Sequence, residues 1–152
     1  MNHPKIAIAA LGCLLFLASC STTFHSLKAQ NPPVGDPRFP RTAESTQPTF
    51  KWSPAPEPEA KYDLIVYECV ETFGKWGGIY RVPGKEVYSR KAIEGAEHRI
   101  EVPLKPGMKY YWSVRRRIGD TVGPWSRYDY FLFLGVGIVQ ANYQLFLFRT
   151  PE

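Results

Sequence analysis

Alternating apolar and other residues from position 48 onward predict β-strands rather than helices. The clearest strand is 109–117, written KYYWSVRRR, in which Tyr110, Trp112 and Val114 recur at every second position. A period of two places these three side chains toward the core. The other side chains of this strand, predicted to face solvent, are Tyr111, Ser113, Arg115 and Arg117.

Shorter segments with the same period predict further strands, separated by Pro and Gly turns. They are 49–52, 61–69 and 98–102, with a more exposed region at 79–82 and 86–92. The chain from residue 20 onward shows no sustained helical period. Short strands at regular spacing are typical of a sandwich of two antiparallel sheets, so we expect an all-β fold.

The start of the chain has a different pattern. Residues 6–18, IAIAALGCLLFLA, form an uninterrupted apolar run after Lys5. Because a helix needs about 20 apolar residues to span a bilayer, this run is too short and fits the hydrophobic region of a signal peptide instead. The following LASC at 17–20 resembles the lipobox of bacterial lipoproteins.

That resemblance implies that residues 1–19 are a signal peptide that is removed and that the thiol of Cys20 receives a diacylglycerol. The new N-terminus would be acylated as well, with palmitate or a similar chain, because several chains are needed for firm anchoring. The residue after Cys20 is Ser21 rather than Asp, which by analogy with enterobacterial lipoproteins implies sorting to the outer membrane of the cell envelope. The alternative is an ordinary signal peptide that happens to end near a cysteine.

Residues 20–47 are rich in Ser, Thr, Pro, Asn and Gly and lack a sustained period. This composition predicts a flexible, extended tether that carries the lipidated N-terminus. The last part, 38–42, is compatible with an edge strand, because Pro37 and Pro40 would be tolerated only at an edge.

The folded part, 48–151, resembles a fibronectin type III domain, and the resemblance implies a single immunoglobulin-like antiparallel β-sandwich. The matching motifs are PTFKW at 48–52, YDLIV at 62–66, LKPGMKY at 104–110, WSVR at 112–115, GPWS at 123–126 and FLFRTP at 146–151. The phenol of Tyr110 is then expected to satisfy a backbone group at the Pro106-Gly107 corner.

One segment, 127–142, interrupts the family pattern before the closing strand. It forms either an added hairpin turning within 135–142 or an extension of the sheet. Four polar residues argue against a membrane span, because each would be costly in lipid. They are Asp129, Gln140, Asn142 and Gln144. An open edge here would invite pairing with another chain through 128–148.

The formal net charge is +5, and removal of the signal peptide with Lys5 leaves +4. No basic stripe or known module accompanies this excess, so we expect no nucleic-acid partner. Cys13 leaves with the signal peptide and Cys20 is acylated, so Cys69 has no partner for a disulfide and is expected to be a small buried hydrophobe.

Two sets of residues are candidates for binding. Arg115 and Arg117 form either an anion or partner patch or a solvated strand face that stacks on Trp125 by cation–π contact; related fibronectin-like modules favour stacking. Trp76, on a Gly-containing loop, either contacts a ligand or folds back over the core. Tyr80 and Tyr111 would extend an aromatic surface beside it.

The acidic residues are scattered, and no catalytic, metal-binding or cofactor-binding motif is present. We therefore expect no cofactor, no metal and no catalytic residue. The favoured function is an envelope-anchored lipoprotein acting as a non-enzymatic binding or structural module for an envelope protein or a cell-wall glycan. One alternative is a cell-wall-modifying enzyme with a carboxylate pair; another is a subunit of an envelope assembly.

Overall fold

The structure, a computed structural model, describes residues 19–36, 38–73, 79–134 and 137–152. Within these ranges the chain forms strands and turns without a helix, which confirms the predicted all-β class. In chain order the strands of the described residues are β1 (Ser19–His25), β2 (Ala29–Asn31), β3 (Arg41–Thr42), β4 (Thr49–Trp52), β5 (Lys61–Phe73), β6 (Ile79–Ile93), β7 (Glu97–Arg99), β8 (Lys109–Ile118), β9 (Thr121–Val122), β10 (Arg127–Leu134), β11 (Gly137–Gln144) and β12 (Phe146–Arg149). The predicted signal peptide lies outside the described residues except for Ser19.

Two sheets pack face to face in a sandwich-like arrangement. The larger has the order β3-β12-β8-β5-β6, with β9 added to β8, and the smaller has the order β2-β4-β7. Aromatic side chains fill the space between them because alternate residues of each strand face inward. The ring of Phe50 on β4 lies 4.9 Å from that of Trp112 on β8 and 5.6 Å from that of Phe148 on β12.

The corner before β8 forms as the sequence predicts. The phenol oxygen of Tyr110 accepts a 3.1 Å hydrogen bond from the backbone N–H of Lys105, while the ring is buried. Gly107 has a φ of +67°, a conformation that glycine adopts without steric cost. The turn therefore directs the chain into β8 with its polar groups satisfied.

The prediction that Tyr111 and Ser113 face solvent is wrong. Tyr111 is 3% exposed and Ser113 is 1% exposed. The hydroxyl of Ser113 donates to the carbonyl of Ser126, at 2.6 Å, and the phenol of Tyr111 donates to the carbonyl of Arg81, at 3.3 Å. The chain around Arg81 and around Ser126 therefore covers the second face of β8, while the smaller sheet covers the first.

Residues 20–47 differ from the predicted flexible tether, because they contribute three strands in the described part of the chain. β2 pairs with β4, and β3 pairs in parallel with β12 at the edge of the larger sheet, as the sequence of 38–42 allowed. Leu27, Ala29 and Ala43 are buried in the core. These apolar residues are few, so the segment has no sustained period in its sequence although it contributes to the core.

The interrupting segment forms a hairpin of β10 and β11, one of the two arrangements predicted for it. β1 adds to β10 with the register Cys20↔Leu132 to His25↔Arg127, which makes a third, three-stranded sheet. The base of the hairpin is attached to the core by aromatic contacts. The rings of Phe24 and Tyr128 lie 6.1 Å and 6.0 Å from that of Phe146.

The two longest ribbons of the molecule extend toward opposite ends of β8. β5 runs antiparallel to β8 and passes its last partner at the pair Glu68↔Tyr110, so it continues beyond the start of β8. β12 is also antiparallel to β8, and only Leu145 separates it from β11. Followed backward along β12, the chain therefore runs toward the end of β8 before it enters the β10–β11 hairpin.

Candidate binding surface

The end of the β5–β6 ribbon projects from the sheet as a two-stranded structure. After Glu68, β5 has lost its β8 partner, and its pairing with β6 continues alone from Cys69↔Pro83 to Phe73↔Ile79. We call residues 69–73 and 79–83 the ribbon end. Because β8 does not continue beside it, no third strand flanks β5 in this part of the described chain.

Local sequence explains how this ribbon forms. Pro83 lacks an N–H, and β6 is the edge strand of the sheet, where the missing donor is tolerated. At Gly84 an added Cβ would lie 2.4 Å from Cγ2 of Val70, so only glycine permits the close approach of the two strands. Register shifts around Tyr67 and Cys69 accompany this approach.

Large apolar side chains are exposed on both faces of the ribbon end. Phe73 is 81% exposed and lies opposite Ile79; Val70 lies opposite Val82. By the alternation of a strand, Tyr80, which is 57% exposed, shares a face with these two valines. Large exposed apolar side chains grouped at one end of a ribbon are candidates for a contact surface.

The charges of the ribbon end are paired with one another. The carboxylate of Glu71 accepts from Nε of Arg81 at 2.8 Å and from Nζ of Lys109 at 2.6 Å. Hydrogen bonds from Lys109 and then Arg81 lower the pKa of Glu71. This pairing joins both ribbon strands to β8 and leaves the apolar side chains as the main feature of the surface.

The sequence-predicted aromatic surface is brought together only in part. Tyr80 is exposed on the ribbon end, whereas Trp76 lies outside the described residues. Tyr111 is buried beneath the ribbon, where burial raises the pKa of its phenol to about 12, so it supports β6 and does not face a ligand. Cys69 is half-buried with a free thiol whose pKa burial raises, which does not favour a nucleophile.

The arginine cluster has a structural arrangement around one buried carboxylate. Asp63 accepts from Nε of Arg115 at 3.0 Å and from Nη2 of Arg117 at 2.8 Å. Burial alone would raise the pKa of Asp63, but the bonds from Arg117, the Ala92 N–H and Arg115 outweigh it and lower this pKa to about 2. The guanidinium of Arg115 also lies 4.4 Å from the ring centre of Trp125, as the stacking interpretation predicts.

A shallow depression of about 190 Å³ lies beside this cluster, lined partly by Arg90, Arg115 and Trp125. It is smaller than the ~300–1,000 Å³ typical of small-molecule sites. Within the part of the chain that the structure describes, no cluster of His, Cys, Asp and Glu side chains is arranged to hold a metal ion. No helix in those ranges has the length and apolar character needed to cross a membrane.

Sequence reasoning missed the aliphatic part of the ribbon end, since it searched for aromatic residues. It also missed a polar link between the sheets, in which the phenol of Tyr88 on β6 donates to Glu101 and shares a 2.6 Å hydrogen bond with Nε2 of His98. Burial lowers the pKa of His98. The available signal for the ribbon end was that Val70, Val82 and Ile79 fall in strand segments that no predicted neighbour covers.

Comparison of the chain with protein-family models, with curated proteins and with solved structures finds no match to any of them.

Proposed function

We propose that this chain is a lipid-anchored lipoprotein of the bacterial envelope, sorted to the outer membrane, whose folded domain binds another envelope protein without catalysing a reaction. The anchoring part of the proposal is supported by the LASC motif at 17–20 after a short apolar run. In this proposal acyl chains on Cys20 hold the domain at the membrane.

The domain itself is proposed to be fibronectin type III-like. The all-β sandwich, the Tyr110 corner and the stacking of Arg115 on Trp125 support this assignment. Domains of this architecture serve many functions, so the fold alone does not identify a ligand. The function is argued from the ribbon end.

The observation that carries the binding function is the exposed apolar surface of the ribbon end. Protein interfaces have an apolar centre, few unpaired charges and a polar rim. Phe73 and Ile79 would form that centre, while Glu71 is already neutralised by Arg81 and Lys109. A cell-wall glycan is less well matched, because sugars need free hydrogen-bonding groups beside an aromatic ring, and the charged groups beside Phe73, those of Glu71 and Arg81, are paired with each other.

The alternative of a cell-wall-modifying enzyme gains no support from the buried carboxylate. Asp63 has a pKa of about 2 and accepts bonds from two arginines, so it remains charged at neutral pH and cannot act as a general acid. Its bonds hold β5 to β8, which is a structural task.

Photo-crosslinking in intact cells tests the binding function. A photoreactive amino acid replaces Ile79, which lies opposite Phe73 on the ribbon end, or, as the control, Val122 on β9, which is also exposed. We expect position 79 to give a discrete protein adduct that position 122 does not give. Phe73→Ser should abolish that adduct while the protein level stays unchanged, because Phe73 makes no core contact.

Three outcomes would contradict the binding function: the same adducts from both positions, an adduct that survives Phe73→Ser, or attachment only to glycan. Anchoring is tested separately by labelling cells with a palmitate analogue. We expect Cys20→Ser to abolish the label and release the protein from the membrane fraction. Full retention of Cys20→Ser in the membrane would show that the anchor has another source.

A further inference from the structure

The tip of the β10–β11 hairpin is aligned with the residue that would carry the lipid. In the register of the three-stranded sheet, Cys20 of β1 lies opposite Leu132 of β10, which in turn lies opposite Gln140 of β11. These three residues form one row across the sheet. Beyond that row, β10 continues only to Leu134 and β11 begins at Gly137.

Apart from Ser19, which pairs with Phe133 and would be removed with the signal peptide, the sequence beyond the row is entirely apolar. β10 contributes Phe133 and Leu134, and β11 contributes Gly137, Ile138 and Val139, the last in a bulge opposite Leu132 and Phe133. No charged residue occurs from 130 to 148. The first charged residue toward the base, Asp129, lies about 10 Å before the row at ~3.3 Å per residue, paired with His25.

The length of the tip matches the depth of a membrane interface. Two residues of β10 lie past Leu132, which corresponds to about 7 Å along the strand. Amphipathic segments that lie in the interface bury their apolar side to about 5–10 Å. Deeper insertion is disfavoured because a two-stranded tip has unpaired N–H and C=O groups along its edges, which hydrocarbon cannot satisfy.

We propose that the β10–β11 tip inserts into the surface of the lipid bilayer beside the acylated Cys20, so that the row Cys20–Leu132–Gln140 lies at the level of the lipid headgroups. This inference rests on the proposed lipidation of Cys20, whose glycerol would lie at that level. The acyl chains and the tip together hold the domain in one orientation. The ribbon end, at the opposite end of β8, then faces away from the membrane toward a partner.

Depth measurements on the processed lipoprotein test this inference. In a Cys69→Ser background, Leu134→Cys or Ile138→Cys places an environment-sensitive fluorophore at the tip. Tyr80→Cys is the matched control, since it lies near the end of the other ribbon. The thiol of an acylated Cys20 does not react. The protein is reconstituted in vesicles of phosphatidylethanolamine and phosphatidylglycerol, with or without brominated acyl chains.

We expect emission from the tip positions to move to shorter wavelength in vesicles and to be quenched several-fold by brominated lipid, with little change at Tyr80→Cys. Equal, weak quenching at the tip and at position 80 would overturn the insertion. Emission from the tip at shorter wavelength that brominated lipid fails to quench would also overturn the insertion, because that result indicates that the tip pairs with a second copy of the chain. Using two tip positions separates insertion from a local folding defect.

Mass spectrometry of the same protein separates the two proposals. If Cys20 carries acyl chains but the tip is not quenched, lipid anchoring stands and the inserted hairpin is wrong. If Cys20 carries none, the anchor and the inference that depends on it both fail.

Discussion

The β5–β6 ribbon and the β10–β11 hairpin are both long two-stranded extensions, yet they differ in charge. The ribbon end holds Glu71 and Arg81 paired across the two strands, with Lys109 completing the pairing from β8. The hairpin and the strand that follows it have no charged residue from 130 to 148. Ion pairs at an exposed site require water around them, whereas a stretch without charge is compatible with lipid.

The bases of the two extensions differ as well. The β5–β6 ribbon is fixed to β8 by the carboxylate of Asp63, which two arginines clamp. The hairpin is fixed to the core by stacked rings around Phe146, and a 2.7 Å polar contact between His25 and Asp129 lies at the neighbouring positions of β1 and β10. A buried carboxylate therefore distinguishes the base of the ribbon and an aromatic cluster the base of the hairpin, and the two should respond differently to mutation, pH and salt.

The largest expected effect is at the base of the hairpin. Phe146 is fully buried, and its ring lies 4.9 Å from that of Trp112. Phe146→Ala should lower the free energy of unfolding by about 3–5 kcal/mol, because it removes apolar burial and leaves a cavity. Denaturant unfolding measures this loss as a lower midpoint.

Phe73→Ala, in the ribbon end, is the matched control for Phe146→Ala. Its ring is 81% exposed, so the change in unfolding free energy should stay within about 0.5 kcal/mol. Similar losses in the two variants would contradict the distinction between a buried base and an exposed end.

A smaller effect is expected at the base of the β5–β6 ribbon. Asp63→Asn removes the negative partner of Arg115 and Arg117 and should cost about 3 kcal/mol at neutral pH, as measured by denaturant unfolding. Arg116→Gln is a suitable control, because Arg116 pairs with Glu57 at the surface and makes no contact with Asp63 in the ion pairs described. An equal loss from Arg116→Gln would show that charge in general, rather than the clamp, matters.

The same carboxylate predicts a pH dependence. The pKa of Asp63 is about 2 in the folded protein against 3.8 for the free group, so the folded state favours its charged form. The resulting stabilisation, about 2 kcal/mol, is complete above the unfolded pKa and is lost as pH falls from about 4 to about 2. As pH falls across this range, the free energy of unfolding should decrease less steeply for Asp63→Asn than for the wild type. An unchanged slope would assign the acid sensitivity to other carboxyl groups.

The features that the sequence predicted correctly are those that depend on a single strand and the turn next to it. The periods of β4, β5 and β8 follow from local alternation, whereas the Tyr110 corner and the contact of Arg115 with Trp125 follow from the resemblance to fibronectin type III domains. The inward-facing side chains of the strands and Tyr110 have partners fixed by the turn or by the neighbouring strand. Local pattern is sufficient there because period and burial agree.

The predictions that were wrong concern features that depend on which elements of the fold cover one another. Alternation predicted one solvent face for β8, but Tyr111 and Ser113 are covered by Arg81 and Ser126, which are distant in sequence. The segment 20–47 joins the sandwich through single apolar residues such as Leu27, which no periodicity test detects. The ribbon end was likewise not predicted as a unit, since its exposure depends on β8 beginning opposite Glu68 and leaving the rest of β5 without that partner.

The smallest expected effect concerns the charges of the ribbon end. Glu71→Gln removes the ion pairs with Arg81 and Lys109, and because these side chains are partly exposed the loss should be about 0.5 kcal/mol at low ionic strength. At about 1 M salt, where the Debye length is ~3 Å, wild type and variant should converge. Thermal unfolding at the two salt concentrations measures this. A loss well above 1 kcal/mol that persists in salt would mean that the ribbon end is held like the core, and the contrast between a ribbon end with ion pairs and a hairpin without charge from 130 to 148 would then lose its electrostatic basis.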